Sequence, residues 1–379
     1  MSWEKAKIKD VCEGIYDGPH ATPPVSNDGA IFLGISNITQ DGHLDISNPK
    51  YISEDDFPRW TKRVIPQGGD IVFSYEATLN LYAVIPDGFH GCLGRRMALI
   101  RPDETKVNGR FLYYYFFSEK WRRIISENTV IGATVDRIPL IRFPDFLISF
   151  PSLEEQKAIA GILSAYDNLI ENNQKQIKLL EEAAQRLYKE WFVDLRFPGH
   201  ENTKIVDGIP EGWHCVRITD LLEIKYGKDH KSLENGNIPA YGSGGIIRSV
   251  NKVIYSGESV LIPRKGSLNN IMLVNGDFWT IDTMFFTIPQ CPNITKYVYL
   301  YLAGVDMYAM NIGAAVPSMT VKILDGMKLL CPSSEILEQF ENKISSCFSL
   351  INRCKEMNRD LGRARDLLLS KLMNREIEV

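Results

Sequence analysis

The chain has 379 residues, of which 44% are hydrophobic and 24% are charged. This is the composition of a folded protein with room for about two domains, and it excludes a disordered or collagen-like chain. Because 43 Lys and Arg residues stand against 47 Asp and Glu residues, for a formal charge of −4, a uniformly basic protein is also excluded. Contacts with phosphate groups would have to come from local clusters or from a partner.

The N-terminus and the cysteines indicate the cellular compartment. Residues 1–10 have no apolar signal-peptide core, and no uncharged apolar run reaches about 18 residues. We therefore expect a cytoplasmic protein without a membrane span. The seven cysteines are scattered and form no C-x-x-C pair, so we expect neither disulfides nor a metal site.

Residues 1–150 predict a first mixed α/β domain. Runs rich in β-forming residues at 30–38, 70–75 and 96–102 alternate with connections rich in Gly, Pro, Asp and Asn, and one helix is predicted near 108–127. The segment from Ile15 to Gly29 predicts a long polar loop, and loops on a rigid scaffold are where recognition residues usually lie.

Residues 151–192 predict one long helix with a heptad seam. Ser152 and Glu155 form a capping-box pattern at its start. A helix from Pro151 to Trp191 would be roughly 55–60 Å long and would need a partner helix to cover its seam. The seam positions alternate by four and three residues: Ile159, Leu163, Tyr166, Ile170, Asn173, Ile177, Leu180, Ala184, Leu187 and Trp191.

The rest of the chain repeats this plan. Residues 193–331 predict a Pro- and Gly-rich linker and a second α/β domain, and residues 332–379 predict a second long helix that pairs with the first. A shift of 181 residues aligns Gly132–Pro151 with Gly313–Pro332 and continues ungapped to the end. The second seam is Phe340, Ile344, Cys347, Ile351, Cys354, Asn358, Leu361, Arg365, Leu368 and Leu372.

These elements predict an α+β fold with a pseudo-twofold internal repeat. Two homologous mixed α/β domains would be separated by an antiparallel coiled coil of the two long helices. A repeat of this length indicates a domain duplication, because solenoid repeats are much shorter. The polar seam residues Asn173, Asn358 and Arg365 are candidates for fixing the register of the pairing.

Enzyme motifs are missing from the sequence. The only Pro-Pro pair, Pro23-Pro24, lacks the acceptor and the aromatic residue of an amino-methyltransferase tetrad, and no G-x-x-x-x-G-K-(S/T) occurs. The six histidines make no H-x-x-x-H pair. We predict a chain with no catalytic residues, no metal ligands and no cofactor of its own.

A duplicated domain at fixed spacing is typical of a protein that reads two separated patches of a linear lattice. On duplex DNA, where one turn covers about 34 Å, the helical rod would set two readers about one and a half to two turns apart. Arg and Lys pair with guanine edges and phosphates, and Asn pairs with adenine. The predicted DNA-binding residues are His20, Thr22, Asn37, Arg63, Tyr75, Asn80, Arg95, Arg96, Lys228, Lys231, Tyr241, Ser243, Arg248, Arg264, Lys265, Ser267 and Asn269.

Two paired helices cover each other on one stripe only. The free face of the first helix carries four apolar residues, which predicts a partner-docking surface beside the spacer role. These residues are Leu153, Ile162, Leu169 and Leu179.

Several segments together resemble the specificity subunit of type I restriction–modification systems. They are the domain starts at Trp3 and Trp213 (W-x-x-x-x-I-x-D), IPAYGSGG from Ile238, GESVLIPRKGS from Gly257, the paired GATV and GAAV segments, and PSLEEQKAIA from Pro151. Each motif is only moderately specific, but their order and duplication over the whole chain are highly specific.

The resemblance implies two target-recognition domains that each read half of a split double-stranded DNA target. It also implies two methyltransferase subunits with S-adenosylmethionine as their cofactor, and restriction subunits recruited through them. Two alternatives stay open: a structural or inhibitory scaffold that binds the methyltransferase without reading DNA, and a two-headed binder of another polymer.

Overall fold

The computed structural model describes residues 3–132, 134–311 and 317–379, and the chain forms two compact units. The first unit comprises Met1–Asn172 with Met357–Val379, and the second comprises Asn173–Glu356. Each unit therefore contains one globular α/β part and a portion of both long helices.

The first unit is built from short strands around two small sheets. One sheet has the order β2-β8-β5-β6, the other has the order β4-β3-β7, and β1 pairs antiparallel with β9. The strands are β1 (Glu4–Lys7), β2 (Cys12–Asp17), β3 (Ala30–Leu33), β4 (Lys50–Ile52), β5 (Ile71–Ser74), β6 (Tyr82–Val84), β7 (Gly91–Leu93), β8 (Met97–Pro102) and β9 (Leu147–Phe150). The short helices are α1 (Phe57–Trp60), α2 (Gly109–Tyr115) and α3 (Glu119–Asn128).

Three predicted boundaries in this unit were wrong. The helix predicted at 108–127 is two helices, because the backbone is extended at Ser118 between them. Ser118 caps α3 by accepting a hydrogen bond from the Trp121 amide at 3.2 Å. The strand predicted at 30–38 ends at Leu33, and Ile35–Asn37 form a 3₁₀ turn. The loop predicted from Ile15 begins at Gly18, because β2 extends to Asp17.

The second unit repeats the arrangement. Its strands are β10 (Ile205–Val206), β11 (Ile209–Pro210), β12 (His214–Arg217), β13 (Leu222–Tyr226), β14 (Asn235–Gly242), β15 (Gly245–Val250), β16 (Tyr255–Ser256), β17 (Ser259–Pro263), β18 (Met272–Val274), β19 (Asp277–Thr280), β20 (Met284–Pro289) and β21 (Lys328–Cys331). Its short helices are α5 (Ile218–Leu221), α6 (Thr295–Ala303) and α7 (Val321–Asp325).

The sheet topology confirms the duplication. The order β13-β20-β17-β18 matches β2-β8-β5-β6, and the parallel pair β14–β19 matches the parallel pair β3–β7. The opening strand also returns to the strand before a long helix in both units, as β1–β9 and β12–β21. Part of the predicted repeat, Ala133 and Gly313–Val316, lies outside the described residues. The predicted α+β fold class with two homologous domains is confirmed.

Two long helices, α4 (Leu153–Tyr188) and α8 (Ser334–Met373), follow the two globular parts. Their 36 and 40 residues correspond to lengths of about 54 and 60 Å. In the first unit Leu163 of α4 shares a core cluster with Leu372 of α8. In the second unit Ala184 of α4 shares one with Phe340 of α8. The start of one helix therefore packs with the end of the other, as the antiparallel prediction requires.

Most of the predicted seam is buried. Ile159, Leu163, Ile170, Ala184 and Trp191 are buried in α4 and in the π-helical turn Lys189–Val193 that follows it. Asn173 is also buried. The heptad pattern therefore identified the covered stripe of the helix correctly.

Candidate nucleic-acid interface

Five backbone hydrogen bonds tie together the loop ends of the first unit. They surround the tight turn between β7 and β8, and they hold that turn against the ends of β2, β3 and β5. We name this arrangement the first frame. Its donor–acceptor pairs are Gly18 N to Met97 O (2.9 Å), Gly94 N to Leu33 O (2.7 Å), Met97 N to Gly94 O (3.0 Å), Tyr75 N to Arg96 O (3.2 Å) and Ile138 N to Tyr75 O (2.8 Å).

The second unit repeats all five bonds around the turn between β19 and β20, and we name this arrangement the second frame. Its pairs, in the same order, are Gly227 N to Met284 O (3.0 Å), Ile281 N to Tyr241 O (3.0 Å), Met284 N to Ile281 O (3.0 Å), Arg264 N to Thr283 O (2.8 Å) and Met319 N to Arg264 O (2.8 Å). The two frames pair residues position by position: Tyr75 with Arg264, and Arg95 with Asp282.

The first frame brings together four of the predicted DNA-binding residues. The Tyr75 hydroxyl donates to the Arg95 carbonyl at 2.8 Å and lies 3.4 Å from Nδ1 of His20. Nε2 of His20 lies 2.9 Å from a carboxylate oxygen of Asp17, and Arg63 forms an ion pair with the same carboxylate. These polar groups form one cluster at the loop end of the first unit.

The hydroxyl of Tyr75 stays protonated over the physiological range. Its burial, followed by the nearby charges of Asp17 and Glu76, raises the pKa of Tyr75 to about 12. The side chain therefore acts as a hydrogen-bond donor that orders the frame.

Arg264 takes the place of Tyr75 in the second frame and makes the same contact. Its Nη1 donates to the Asp282 carbonyl at 3.1 Å, as the Tyr75 hydroxyl does to the carbonyl of Arg95. The guanidinium also lies over the ring of Tyr226, with 5.3 Å between its carbon and the ring centroid, a cation–π arrangement. The Arg264 side chain is therefore held in one orientation.

Basic and amide groups surround the second frame. Lys228 and Lys265 are exposed, and their backbone amides donate to Thr280 and Thr283, at the two ends of the turn. Asn270 donates to the Ser243 carbonyl at 2.8 Å, which joins the two glycine-rich loops.

Gly266 allows these two loops to approach. Its φ is +87°, and a Cβ there would lie 2.8 Å from the Ser243 hydroxyl oxygen. Ser267 follows it as an exposed residue. A side chain at position 266 would therefore be strained and would push the loops apart.

Four predicted residues use their polar atoms within the chain. Asn37 accepts from the Gly34 amide and donates to the Asp45 carbonyl, both at 2.9 Å. Asn80, with φ +63°, accepts from the Tyr82 hydroxyl at 3.4 Å. Their contacts order loops, and their role in DNA binding stays a prediction.

Arg248 and Asn269 behave in the same way. Arg248 donates to the backbone carbonyls of His230 and Leu233 and so shapes the loop after β13. Asn269 accepts from the Met307 amide at 2.8 Å.

The other predicted residues vary in their surroundings. Thr22 and Lys231 are exposed, and no side-chain hydrogen bond within the described residues links them to a frame. Arg96 is half-buried, and its carbonyl accepts one of the frame bonds. Tyr241 packs against an apolar cluster of the second unit while its carbonyl accepts another.

Sequence reasoning missed three residues of the frames: Asp17, Tyr226 and Asp282. A signal existed for the first two, because each directly precedes the frame glycine, in Tyr16-Asp17-Gly18 and Lys225-Tyr226-Gly227. Asp282 gave no signal, because its equivalence to Arg95 depends on the backbone hydrogen bonds.

The predicted docking residues of α4 differ in exposure. Ile162, Leu169 and Leu179 are exposed and Leu153 is half-buried, and docking of a partner on this face stays a prediction. The helix α8 also exposes apolar residues that the prediction missed: Leu350, Met357 and Leu367.

The described residues contain no group of three or more His, Cys, Asp or Glu side chains that could hold a metal ion. In the same part of the chain, no helix combines the length and the apolar character that a membrane crossing needs.

Comparison with known proteins gives one consistent family. The family described as "Type I restriction modification DNA specificity domain" matches residues 1–182 and 210–359. The MjaIX specificity subunit of a type I restriction enzyme from Methanocaldococcus jannaschii is 24% identical, over 100% of this chain and 94% of its own. The HindI specificity subunit from Haemophilus influenzae is 22% identical, over 88% of this chain and 91% of its own.

A solved structure supports the fold. The crystal structure of a type I restriction–modification S subunit from M. genitalium is similar with a TM-score of 0.56 and 20% identity, over 98% of this chain and 96% of that one. Since the family model matches both halves of the repeat and most of the chain, the chain belongs to the type I restriction–modification DNA specificity family.

Proposed function

We propose that the chain is the DNA-recognition subunit of a type I restriction–modification complex, and that each frame reads one half of a split duplex target. The observation that carries this proposal is the repetition of one five-bond frame in two units, with basic side chains around both turns. A specificity subunit is not itself an enzyme, so the chemistry belongs to partner subunits.

Charge at the loop clusters supports DNA over the scaffold alternative. A DNA-mimicking scaffold would present acidic loops, because it must resemble a phosphate backbone. Arg95 near the first frame turn, and Lys228 and Lys265 near the second, are instead exposed cations. Such groups are suited to phosphate and guanine contacts.

Two methyltransferase subunits are the expected partners, with S-adenosylmethionine bound in them and restriction subunits recruited through them. Exposed Ile162 and Leu169 on α4, with Met357 and Leu367 on α8, give these partners apolar surface on both helices. The helix lengths of about 54 and 60 Å suit a target whose two read segments are separated by an unread one.

The test is binding of randomised bipartite duplexes by the chain alone and by its complex with the co-expressed methyltransferase. We expect selection of one bipartite sequence with a fixed spacer. Absence of sequence-dependent binding in both preparations would reject the proposal.

A paired variant assigns the half-sites. Arg264→Ala with Lys265→Ala should weaken discrimination in one half-site and leave the other unchanged. Lys204→Ala, which removes an exposed lysine outside the second frame, is the control for loss of charge. Equal weakening of both half-sites would identify these residues as general phosphate contacts.

A further inference from the structure

Arg95 and Asp282 occupy the same position of the two frames. Each directly follows the first residue of the frame turn, Gly94 or Ile281, whose amide and carbonyl both take part in the frame. Their own carbonyls accept the equivalent side-chain hydrogen bonds, from the Tyr75 hydroxyl at 2.8 Å and from Arg264 Nη1 at 3.1 Å. The backbone at this position is therefore fixed in the same way in both units.

The side chains at this position are free of the contacts that hold their neighbours. Both are exposed, and neither forms a side-chain hydrogen bond or an ion pair within the described part of the chain. Arg63, by contrast, is paired with Asp17, and Arg264 is stacked on Tyr226. This position therefore presents an uncommitted charge in each frame, and the two charges have opposite sign.

The favourable contact that the Asp282 carboxylate can make with DNA is a hydrogen bond with a base. Phosphates repel the carboxylate, while Arg264 and Lys265 beside it attract the duplex. A carboxylate brought to the duplex in this way is stable where it accepts a hydrogen bond from a base amino group, which in the major groove is above all N4 of cytosine. The matching use of an arginine is a bidentate contact with O6 and N7 of guanine.

We propose that Arg95 and Asp282 are specificity-determining residues that read guanine and cytosine, respectively, each in its own half-site. This inference rests on the proposed function, since it requires that the frames face DNA. It identifies Tyr75 and Arg264 as positioning residues, which fix the backbone from which the reading side chains project.

The experiment uses the complex with the methyltransferase and a duplex library randomised in both half-sites. Asp282→Asn should lose preference for cytosine at one base pair, by roughly 10- to 100-fold, and should keep the other half-site unchanged. Arg95→Gln should lose preference for guanine at one base pair of the opposite half-site. Asp282→Arg should change the preferred base at its position to guanine.

Matched controls separate reading from charge. Asp277→Asn removes an exposed carboxylate at the start of β19, the strand that leads into the second frame turn, and Arg123→Gln removes an exposed cation on α3. Neither should alter base preference. Circular dichroism of each variant confirms that it is folded.

The outcomes distinguish failure of the proposed function from failure of this inference. If the wild-type complex selects no sequence, the proposed function fails. If it selects a sequence but the Arg95 and Asp282 variants both keep the wild-type base preferences, the function stands and this inference is overturned. The same holds if Arg95→Gln weakens binding to all sequences equally and Asp282→Asn tightens it equally.

Discussion

A buried ion pair links α4 and α8 within the first unit, and its removal should be costly. Arg365 Nη1 lies 2.7 Å from a carboxylate oxygen of Asp167, and the Tyr114 hydroxyl donates to the other oxygen at 2.5 Å. Burial would lower the pKa of Arg365, but the hydrogen bond and charge of Asp167 outweigh it, so the net shift of that pKa is upward. The Arg365 guanidinium therefore stays charged at all ordinary pH values.

Asp167→Asn should leave the guanidinium buried without its countercharge. Breaking a buried pair on one side costs about 3–5 kcal/mol, and we take about 3 kcal/mol because Asn retains the shape and an acceptor. The neighbouring Asp366 also contacts Arg365, at 2.9 Å, but its side chain is 68% exposed against 11% for Asp167. Asp366→Asn should therefore cost at most about 1 kcal/mol.

Hydrogen exchange measured by mass spectrometry localises the effect to these helices. An opening free energy lower by about 3 kcal/mol speeds exchange roughly 150-fold, and one lower by about 1 kcal/mol speeds it about fivefold. The acceleration should appear in peptides covering residues 160–171 and 358–373. Equal acceleration in the Asp167 and Asp366 variants would refute the argument that burial sets the cost.

Replacing Asp167, Arg365 and Tyr114 together by apolar residues provides a second test. Because removing both charges also removes both desolvation penalties, Asp167→Leu with Arg365→Leu and Tyr114→Phe should exchange about as slowly as the wild type. A cost as large as that of Asp167→Asn would show that the network contributes net stability beyond avoiding an unpaired charge.

Two further predictions concern the helices and the second unit. Ile170→Ala should destabilise the chain by about 2–5 kcal/mol in urea unfolding, because this side chain is 7% exposed. The Leu169 side chain is 51% exposed, so Leu169→Ala should lower methyltransferase binding and change the free energy of unfolding by at most about 0.5 kcal/mol. In the second unit the pKa of Lys296 is raised: burial lowers it, but hydrogen bonds to Glu258 and Glu341 outweigh this. The stability that the charged Lys296 side chain contributes is therefore fully present below pH 10.5 and is lost as the pH rises through the raised pKa of the folded state. In that pH range the free energy of unfolding of the wild type should fall more steeply than that of Lys296→Met. Parallel slopes would contradict the assignment.

The seam and the duplication could be predicted because both depend only on the spacing of residues along the chain. The heptad spacing separated buried Ile170 from exposed Leu169, which are adjacent in sequence. The 181-residue shift aligned β9 with β21, and these strands have the same partner in their own units.

The buried network of Asp167, Arg365 and Tyr114 could not be predicted from the sequence, for a physical reason. The heptad pattern marked Arg365 as a polar interruption, but its partner Asp167 lies off the heptad positions and 198 residues away. The third member, Tyr114, stands in an aromatic run that resembles ordinary core. Only the packing of α2 against both long helices inside the first unit brings the three together.

The equivalence of the candidate reading positions, 95 and 282, was equally hard to predict from the sequence. Each frame is made of main-chain hydrogen bonds, so its geometry does not depend on the side chains at its exposed positions. Position 95 holds an arginine and its equivalent, 282, an aspartate, while the turns that carry them have the same bonds. The chain thus builds one scaffold twice and changes the charge that the scaffold presents. If the frames read DNA as proposed, exchanging these exposed side chains should change the preferred bases and leave the core unchanged.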